Sequence, residues 1–145
     1  MPHNSTLLKP EDVLTYWPKL SPHIKSAIEH SGGELSLFDV AQGAINGQNH
    51  IWVTFSGDKL ITVIVTRFLD YQRTKMLQIM TCGGAIEDWD GWTEHHRILE
   101  DFAKSNGCSA IEIWGRRGWG RRLKHLTSRS GDTYKPLYYV YSMEI

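Results

Sequence analysis

The sequence predicts an α/β fold in which helices cover the faces of a mixed β-sheet. Apolar residues at helical spacing occupy the first third of the chain. Three β-rich runs separated by short turns occupy the middle. A helical pattern and another strand follow with no hairpin between them, which favours a parallel βαβ crossover. At 145 residues we expect one domain, spanning residues 1–145.

The N-terminal part is predicted to hold a loose lead at residues 1–9 and then two helices. Pro10 and the two acids after it favour a helix start, and Pro18 is expected to end that helix. Ser21 resembles the cap of a second helix, which is expected to end at Gly32. Two separate N-terminal helices are therefore expected.

A third, short helix and an antiparallel meander are predicted next. Ser36 is a suitable N-cap for the helix, and Asn46 followed by glycine is a suitable end. The β-rich runs at 50–55, 60–69 and 75–81 are joined by turns too short for anything except hairpins. The middle of the chain is thus expected to form three neighbouring antiparallel strands.

The last third continues the alternation of helices and strands. The predicted elements, in order, are a helix capped by Asp88 or Asp90 and ended by Asn106-Gly107, a strand at 110–114, a weaker helix at 119–127 and a final strand at 137–145.

Composition excludes several classes of protein. Sixteen Lys and Arg balance sixteen Asp and Glu, so net charge gives no general attraction to nucleic acid. Cys82 and Cys108 are too few for a disulfide framework, and inert thiols are expected. No apolar run approaches the roughly 20 residues of a membrane helix, so no membrane partner is expected.

The order of elements resembles the GNAT acyltransferase fold over residues 10–145. Three stretches are similar to the small GNAT-like proteins of tailed bacteriophages: YWPKLSPHIKSAIEHSGG, CGG and GCSAIEIWGRRGW. That resemblance implies an accessory or internal virion protein that acts in virion assembly. It also implies synthesis in the host cytoplasm with a place in the virion, other phage structural proteins as partners, and a homo-oligomer as a further option.

The resemblance also places an acetyl-CoA site between the third meander strand and the crossover helix. Gly83, Gly84 and Ala85 stand where the phosphate-binding glycines of GNAT enzymes stand. The same segment carries three acids that would repel a pyrophosphate: Glu87, Asp88 and Asp90. From these acids we expect no cofactor and a non-catalytic protein. The alternative is an active N-acetyltransferase that uses acetyl-CoA.

The catalytic groups of such an enzyme are not defined by spacing. Many GNAT enzymes use a tyrosine on the helix after the crossover strand, and the predicted helix at 119–127 has none. Glu112 or a histidine could serve as general base. This departure also favours the non-catalytic prediction, with no catalytic residue assigned.

A basic segment follows the crossover strand and offers a second kind of site. It contains Arg116, Arg117, Trp119, Arg121, Arg122 and Lys124. The segment can be a structural turn with solvated arginines, or a contact for phosphate or a partner protein. A weak nucleic-acid association through residues 116–129 is the second alternative function.

His95 and His96 are candidate metal ligands. His96 and Glu100 share a helix face, but spacing provides no third ligand. His95 lies on the apolar face and is expected to be a hydrogen-bonded core residue. No metal site is therefore predicted.

Overall fold

The computed structural model describes residues 4–29, 35–84, 89–113, 123–124, 126–137 and 141–145. The chain divides into two compact units, Met1–Trp114 and Gly115–Ile145. The described residues of the first unit contain these elements: β1 (Asn4–Leu7), a 3-10 turn (Pro10–Asp12), α1 (Val13–Ile28), α2 (Leu37–Ile45), β2 (Asn49–Ser56), β3 (Lys59–Asp70), β4 (Lys75–Gly84), α3 (Trp89–Ser105) and β5 (Ala110–Ile113).

The five described strands form one mixed sheet in the order β1-β2-β3-β4-β5. Strands β1 to β4 pair antiparallel with their neighbours. Strand β5 pairs parallel with β4, from Met76 opposite Ala110 to Ile79 opposite Ile113. The predicted meander and the predicted parallel crossover are both confirmed.

Helix α1 corrects the prediction of two N-terminal helices. It runs from Val13 to Ile28 with Pro18 and Pro22 inside it. An internal proline costs a helix about 3 kcal/mol through a lost N–H and a steric clash. Burying one large aliphatic side chain contributes about 1.5–3 kcal/mol. Val13, Leu20 and Ile24 are each only 1% exposed, and their burial offsets a cost of this size.

The N-terminal segment differs from the predicted loose lead. Asn4–Leu7 forms the edge strand β1, with Ser5 opposite Thr54 and Leu7 opposite Trp52 of β2. This short polar stretch has no strong strand propensity of its own. It forms a strand because the backbone of β2 supplies hydrogen-bond partners for it. The expectation of one domain over residues 1–145 stays a prediction.

Helix α2 confirms the third predicted helix and completes one face of the sheet. The Ser36 hydroxyl accepts a hydrogen bond from the Asp39 amide at 3.1 Å, which caps the helix. The main core lies between this helix, α1 and the sheet, and its buried residues are Val13, Leu20, Ile24, Val40, Ala44, Ile51, Val53, Val63 and Val65.

Helix α3 packs on the opposite face. Its Leu99 is fully buried, and the ring of its Phe102 lies 5.0 Å from that of Trp52 in β2. Asp90 lies inside the helix and does not cap it, whereas Asp88 is outside the described residues. The predicted end is confirmed, because Gly107 follows the last turn with a φ of +80°.

The second unit is described in part. Thr127 and Thr133 form an isolated antiparallel bridge around a turn that contains Gly131. Thr127 is therefore not helical, while most of the predicted helix at 119–127 is outside the described residues. Leu137 and residues 141–145 are exposed and carry no strand, so the predicted final strand is wrong for these positions. Strand propensity alone does not make a strand, which needs a neighbouring ladder. Among the described helices, none has the length and apolar character needed to cross a membrane.

Candidate active site

A β-bulge at Met80 interrupts the pairing of β4 with β3. Ile79 lies opposite Thr66 and Thr81 lies opposite Val65, so Met80 is an extra residue. Alternation of side chains along a strand has a period of two, and one inserted residue reverses it. Thr81 and the odd positions after it therefore face α1 and α2, as their partner Val65 does.

Beyond the bulge, β4 continues past the last residue that pairs with β5. The last parallel pair is Ile79 and Ile113, and β4 continues to Gly84. Within the described ranges, no strand pairs with residues 80–84 on the β5 side. Unpaired backbone N–H and C=O groups at a strand edge can bind an extended, amide-containing ligand.

The glycines predicted to bind phosphate lie in this strand. Gly83 pairs with Val63 and Gly84 with Thr62, so both continue the ladder and neither forms the expected turn. A Cβ at position 83 would lie 2.3 Å from the carbonyl oxygen of His23 in α1. Gly83 is thus needed for close packing of α1 on β4.

The rest of this predicted phosphate site lies largely outside the described residues. Ala85, Glu87 and Asp88 are not among them, and for Asp90 only the backbone is described. The expected repulsion between these acids and a pyrophosphate stays a prediction.

A buried hydroxyl lies directly after the bulge. Thr81 is 7% exposed, and its Oγ1 has no hydrogen-bond partner within the described part of the chain. An unsatisfied buried hydroxyl costs about 1–3 kcal/mol, so native proteins rarely keep one without a ligand or water to bond it. The bulge that turns Thr81 to this face leaves no signal in a periodicity analysis, and sequence reasoning missed the residue.

A polar row crosses three strands just before the bulge. Arg67 lies opposite Gln78, and Gln78 lies opposite Glu112. The Arg67 Nε donates to Gln78 Oε1 at 2.6 Å, and the Tyr71 hydroxyl donates to Glu112 Oε2 at 3.1 Å. Gln78 is 3% exposed, while Arg67 and Glu112 are half-buried. Glu112, one of the residues considered as a general base, thus lies next to the open edge of β4.

The prediction that His95 is a hydrogen-bonded core residue is confirmed. It is buried on the α3 face, and its ring bonds to the hydroxyls of Ser5 and Thr54. His96 and Glu100 also lie together, with Nδ1 and Oε2 3.9 Å apart. Burial lowers the pKa of His96, against the opposing effect of Glu100. Within the described residues, no group of three or more His, Cys, Asp or Glu side chains is arranged to hold a metal.

His50 belongs to an aromatic cluster on the same α3 face. Its Nδ1 lies 2.9 Å from Thr66 Oγ1, which also accepts a hydrogen bond from Trp52 Nε1 at 3.0 Å. The rings of Phe68 and Phe102 pack edge-on against the imidazole, at 4.7 and 5.0 Å. Burial lowers the pKa of His50, and the positive charge of Lys75 lowers it further. This histidine is placed to pack the sheet.

The structure leaves the basic segment a prediction. Of the residues predicted for this segment only Lys124 is described, and its side chain is exposed. The others lie outside the described residues: Arg116, Arg117, Trp119, Arg121 and Arg122.

No disulfide joins Cys82 and Cys108, which are both half-buried, and burial raises the pKa of Cys108.

Several solved structures with a similar fold are acetyltransferases. A ribosomal-protein-alanine N-acetyltransferase from Brucella melitensis biovar Abortus aligns with a TM-score of 0.67 at 13% identity, covering 99% of each chain. An aminoglycoside acetyltransferase from an uncultured soil metagenomic sample, solved with sisomicin, aligns with a TM-score of 0.66 at 10% identity, covering 98% of this chain and 97% of that one.

A third similar structure was solved with acetyl-CoA. This predicted acetyltransferase from Clostridium acetobutylicum aligns with a TM-score of 0.65 at 12% identity, covering 97% of this chain and 96% of that one. No family model matches the chain. A search of curated proteins finds no match either.

These matches contradict the prediction of a non-catalytic phage assembly protein. They are acetyltransferases, and nothing in them indicates a phage origin or a role in a virion. The expectation of a protein that is not an enzyme is likewise unsupported. The mixed sheet, its parallel crossover and these alignments together show that the chain has the GNAT acyltransferase fold.

Proposed function

We propose that this protein is an acetyl-CoA-dependent N-acetyltransferase. The observation that carries the proposal is the geometry of β4, where the bulge at Met80 is followed by an open strand edge and by the buried Thr81 hydroxyl. The acetyltransferases of the same fold, one of them solved with acetyl-CoA, support it further.

The residues present fit acetyl-CoA. The pantetheine arm contains amide groups, and the backbone of residues 80–84 could bond them as a neighbouring strand would. Thr81 Oγ1 would gain the hydrogen-bond partner that the described protein does not supply. When bound, the thioester would supply an acetyl group that an amine can attack.

The reaction needs few groups from the protein. The nitrogen of the acceptor forms a bond to the acetyl carbon, and the bond from that carbon to sulfur breaks. An ammonium acceptor loses two protons in all, of which one ends on the departing thiolate and the other in solvent. Glu112, whose Oε2 accepts a hydrogen bond from the Tyr71 hydroxyl, would receive a proton from the amine.

Binding of acetyl-CoA tests the proposal directly. We expect heat of binding in isothermal titration, with a micromolar dissociation constant and competition by free CoA. A ligand at 100 times its dissociation constant stabilises a protein by about 2.7 kcal/mol, so Tm should rise by roughly 5–10 °C. No heat and no rise in Tm at millimolar acetyl-CoA would overturn the proposal.

Turnover gives a second readout with a matched pair of variants. Thiol release from acetyl-CoA, in the presence of primary amines, should fall in Thr81→Val. Thr54→Val makes the same chemical change on the opposite face of the sheet, where the hydroxyl bonds His95. We expect Thr54→Val to affect stability and to leave the dissociation constant of acetyl-CoA unchanged.

A further inference from the structure

We propose that the polar row of Arg67, Gln78 and Glu112 is the acceptor site, and that the acceptor is a small zwitterion of the α-amino acid type. The inference rests on the proposed function and names the substrate class of the same site. Arg67 would bind the carboxylate of the acceptor, Glu112 its amine, and Gln78 would form the floor between them.

The spacing of the row fits such a molecule. The three residues lie directly opposite one another on neighbouring strands, about 4.8 Å apart, so the outer two backbones are separated by about 10 Å. The nitrogen and the carboxyl carbon of an α-amino acid are about 2.5 Å apart. The hydrogen bond from Arg67 Nε to Gln78 Oε1 brings the guanidinium over β4, one strand spacing from Glu112, so a molecule of this length can contact both charged groups.

Arg67 has the character of an anion site. A guanidinium stays charged at all working pH values, and a half-buried charge is costly without a partner. Its Nε bonds the neutral Gln78 amide, and within the described residues no carboxylate pairs with it. The Nη groups of Arg67 would bind a carboxylate with two parallel hydrogen bonds.

Glu112 has the character of a cation site. The Tyr71 hydroxyl occupies one position on Oε2 and orients the carboxylate. An ionised carboxylate accepts several hydrogen bonds at once, so an ammonium group can join those that Glu112 already accepts. A second cation on the acceptor would face Arg67 and be repelled, which disfavours polyamines.

The row also lies at a suitable distance from the proposed thioester site. Gln78 precedes the bulge residue Met80 by two positions, or about 7 Å along β4. All three members of the row lie on the face to which Thr81 turns. An amine held at Glu112 would thus be next to the acetyl group bound at the bulge.

The test compares free L-amino acids with their α-carboxamides as acceptors. The pairs differ in the carboxylate, whose loss also makes the amine less basic, and thiol release from acetyl-CoA measures kcat/KM for each. We expect at least a tenfold preference for the free acid, mostly through KM. Arg67→Gln should reduce the preference to less than threefold, and Arg67→Lys, which keeps the charge, should retain part of it.

Matched controls separate this effect from a loss of folding. Arg73→Gln removes an arginine from the exposed turn between β3 and β4 and should leave the preference unchanged. Glu112→Gln should raise KM for acids and carboxamides alike, because both carry the amine. Far-UV circular dichroism of each variant checks that the sheet is intact.

The outcomes distinguish the two proposals. Equal use of acids and carboxamides, an unchanged preference in Arg67→Gln, or no transfer to any amino acid would overturn the acceptor proposal. If calorimetry still shows acetyl-CoA binding, the proposed function survives that result. Absence of acetyl-CoA binding would overturn both.

Discussion

Gly83 of β4 lies against the main chain of His23 in α1, at a separation that excludes any side chain on residue 83. A Cβ there would lie 2.3 Å from the carbonyl oxygen of His23 and 2.9 Å from its carbonyl carbon. Both contacts are with backbone, which cannot rotate away. The bulge at Met80 causes this relationship, because it turns Gly83 toward α1.

We expect Gly83→Ala to destabilise the protein by about 1–3 kcal/mol, the usual cost of overpacking. The midpoint of urea unfolding measures the change. Cys82→Ala is the control, since residue 82 pairs with Ile64 and so points to the other face of the sheet. Gly83→Ala as stable as the wild type would show that α1 moves away freely.

We expect Thr81→Val to leave the unliganded protein as stable as the wild type or more stable by about 1 kcal/mol. The substitution keeps the shape and removes a buried hydroxyl that has no partner in the described part of the chain. Thermal unfolding without ligand measures the effect. A loss of more than about 1 kcal/mol would mean that the hydroxyl is bonded in the unliganded protein.

Ser5→Ala should loosen the edge strand β1. Its hydroxyl joins β1 to His95 of α3 at 2.6 Å and to Thr54 of β2 at 3.3 Å. Loss of these bonds should cost about 1 kcal/mol, and amide hydrogens of β1 should exchange faster than in the wild type. The same change at the exposed Ser130 should have no such effect. Unchanged exchange in Ser5→Ala would contradict the proposed tether.

Stability should fall as pH falls below about 6.5, the ordinary pKa of histidine. Burial lowers the pKa of both His50 and His96, so the unfolded chain binds protons in a pH range where the folded chain does not. Stability is therefore fully present above pH 6.5 and is lost toward the lowered pKa values. Urea unfolding at pH 5.5, 6.5 and 7.5 should show this slope. His50→Gln and His96→Gln should each make it shallower, and an unchanged slope in both would refute the cause.

Pro18→Ala should stabilise α1 by about 1–2 kcal/mol. The alanine restores a helix hydrogen bond and removes a steric clash, and these gains exceed the added entropy of the unfolded chain. Lys19→Ala, at the exposed neighbouring position, should change stability by less than about 0.5 kcal/mol. A loss of stability in Pro18→Ala would mean that the proline conformation is required by the packing of α1.

Part of the candidate site could be predicted and part could not. Glu112 was considered as a general base, and it lies beside the open edge of β4. Thr81, Arg67 and Gln78 were missed. Their relation depends on the register of three strands and on one inserted residue, and neither leaves a local pattern in the sequence.

The sequence by itself determined the meander, the parallel crossover, the capped helix α2 and the buried position of His95. Each follows from local signals, namely side-chain periodicity, turn residues and caps, which act within a few residues. The tertiary structure decided the continuity of α1 through Pro18, the strand at Asn4–Leu7 and the unpaired state of residues 141–145. In the first two places the energy of contacts between distant segments exceeds what local propensity contributes. In the third place local strand propensity does not by itself produce a strand.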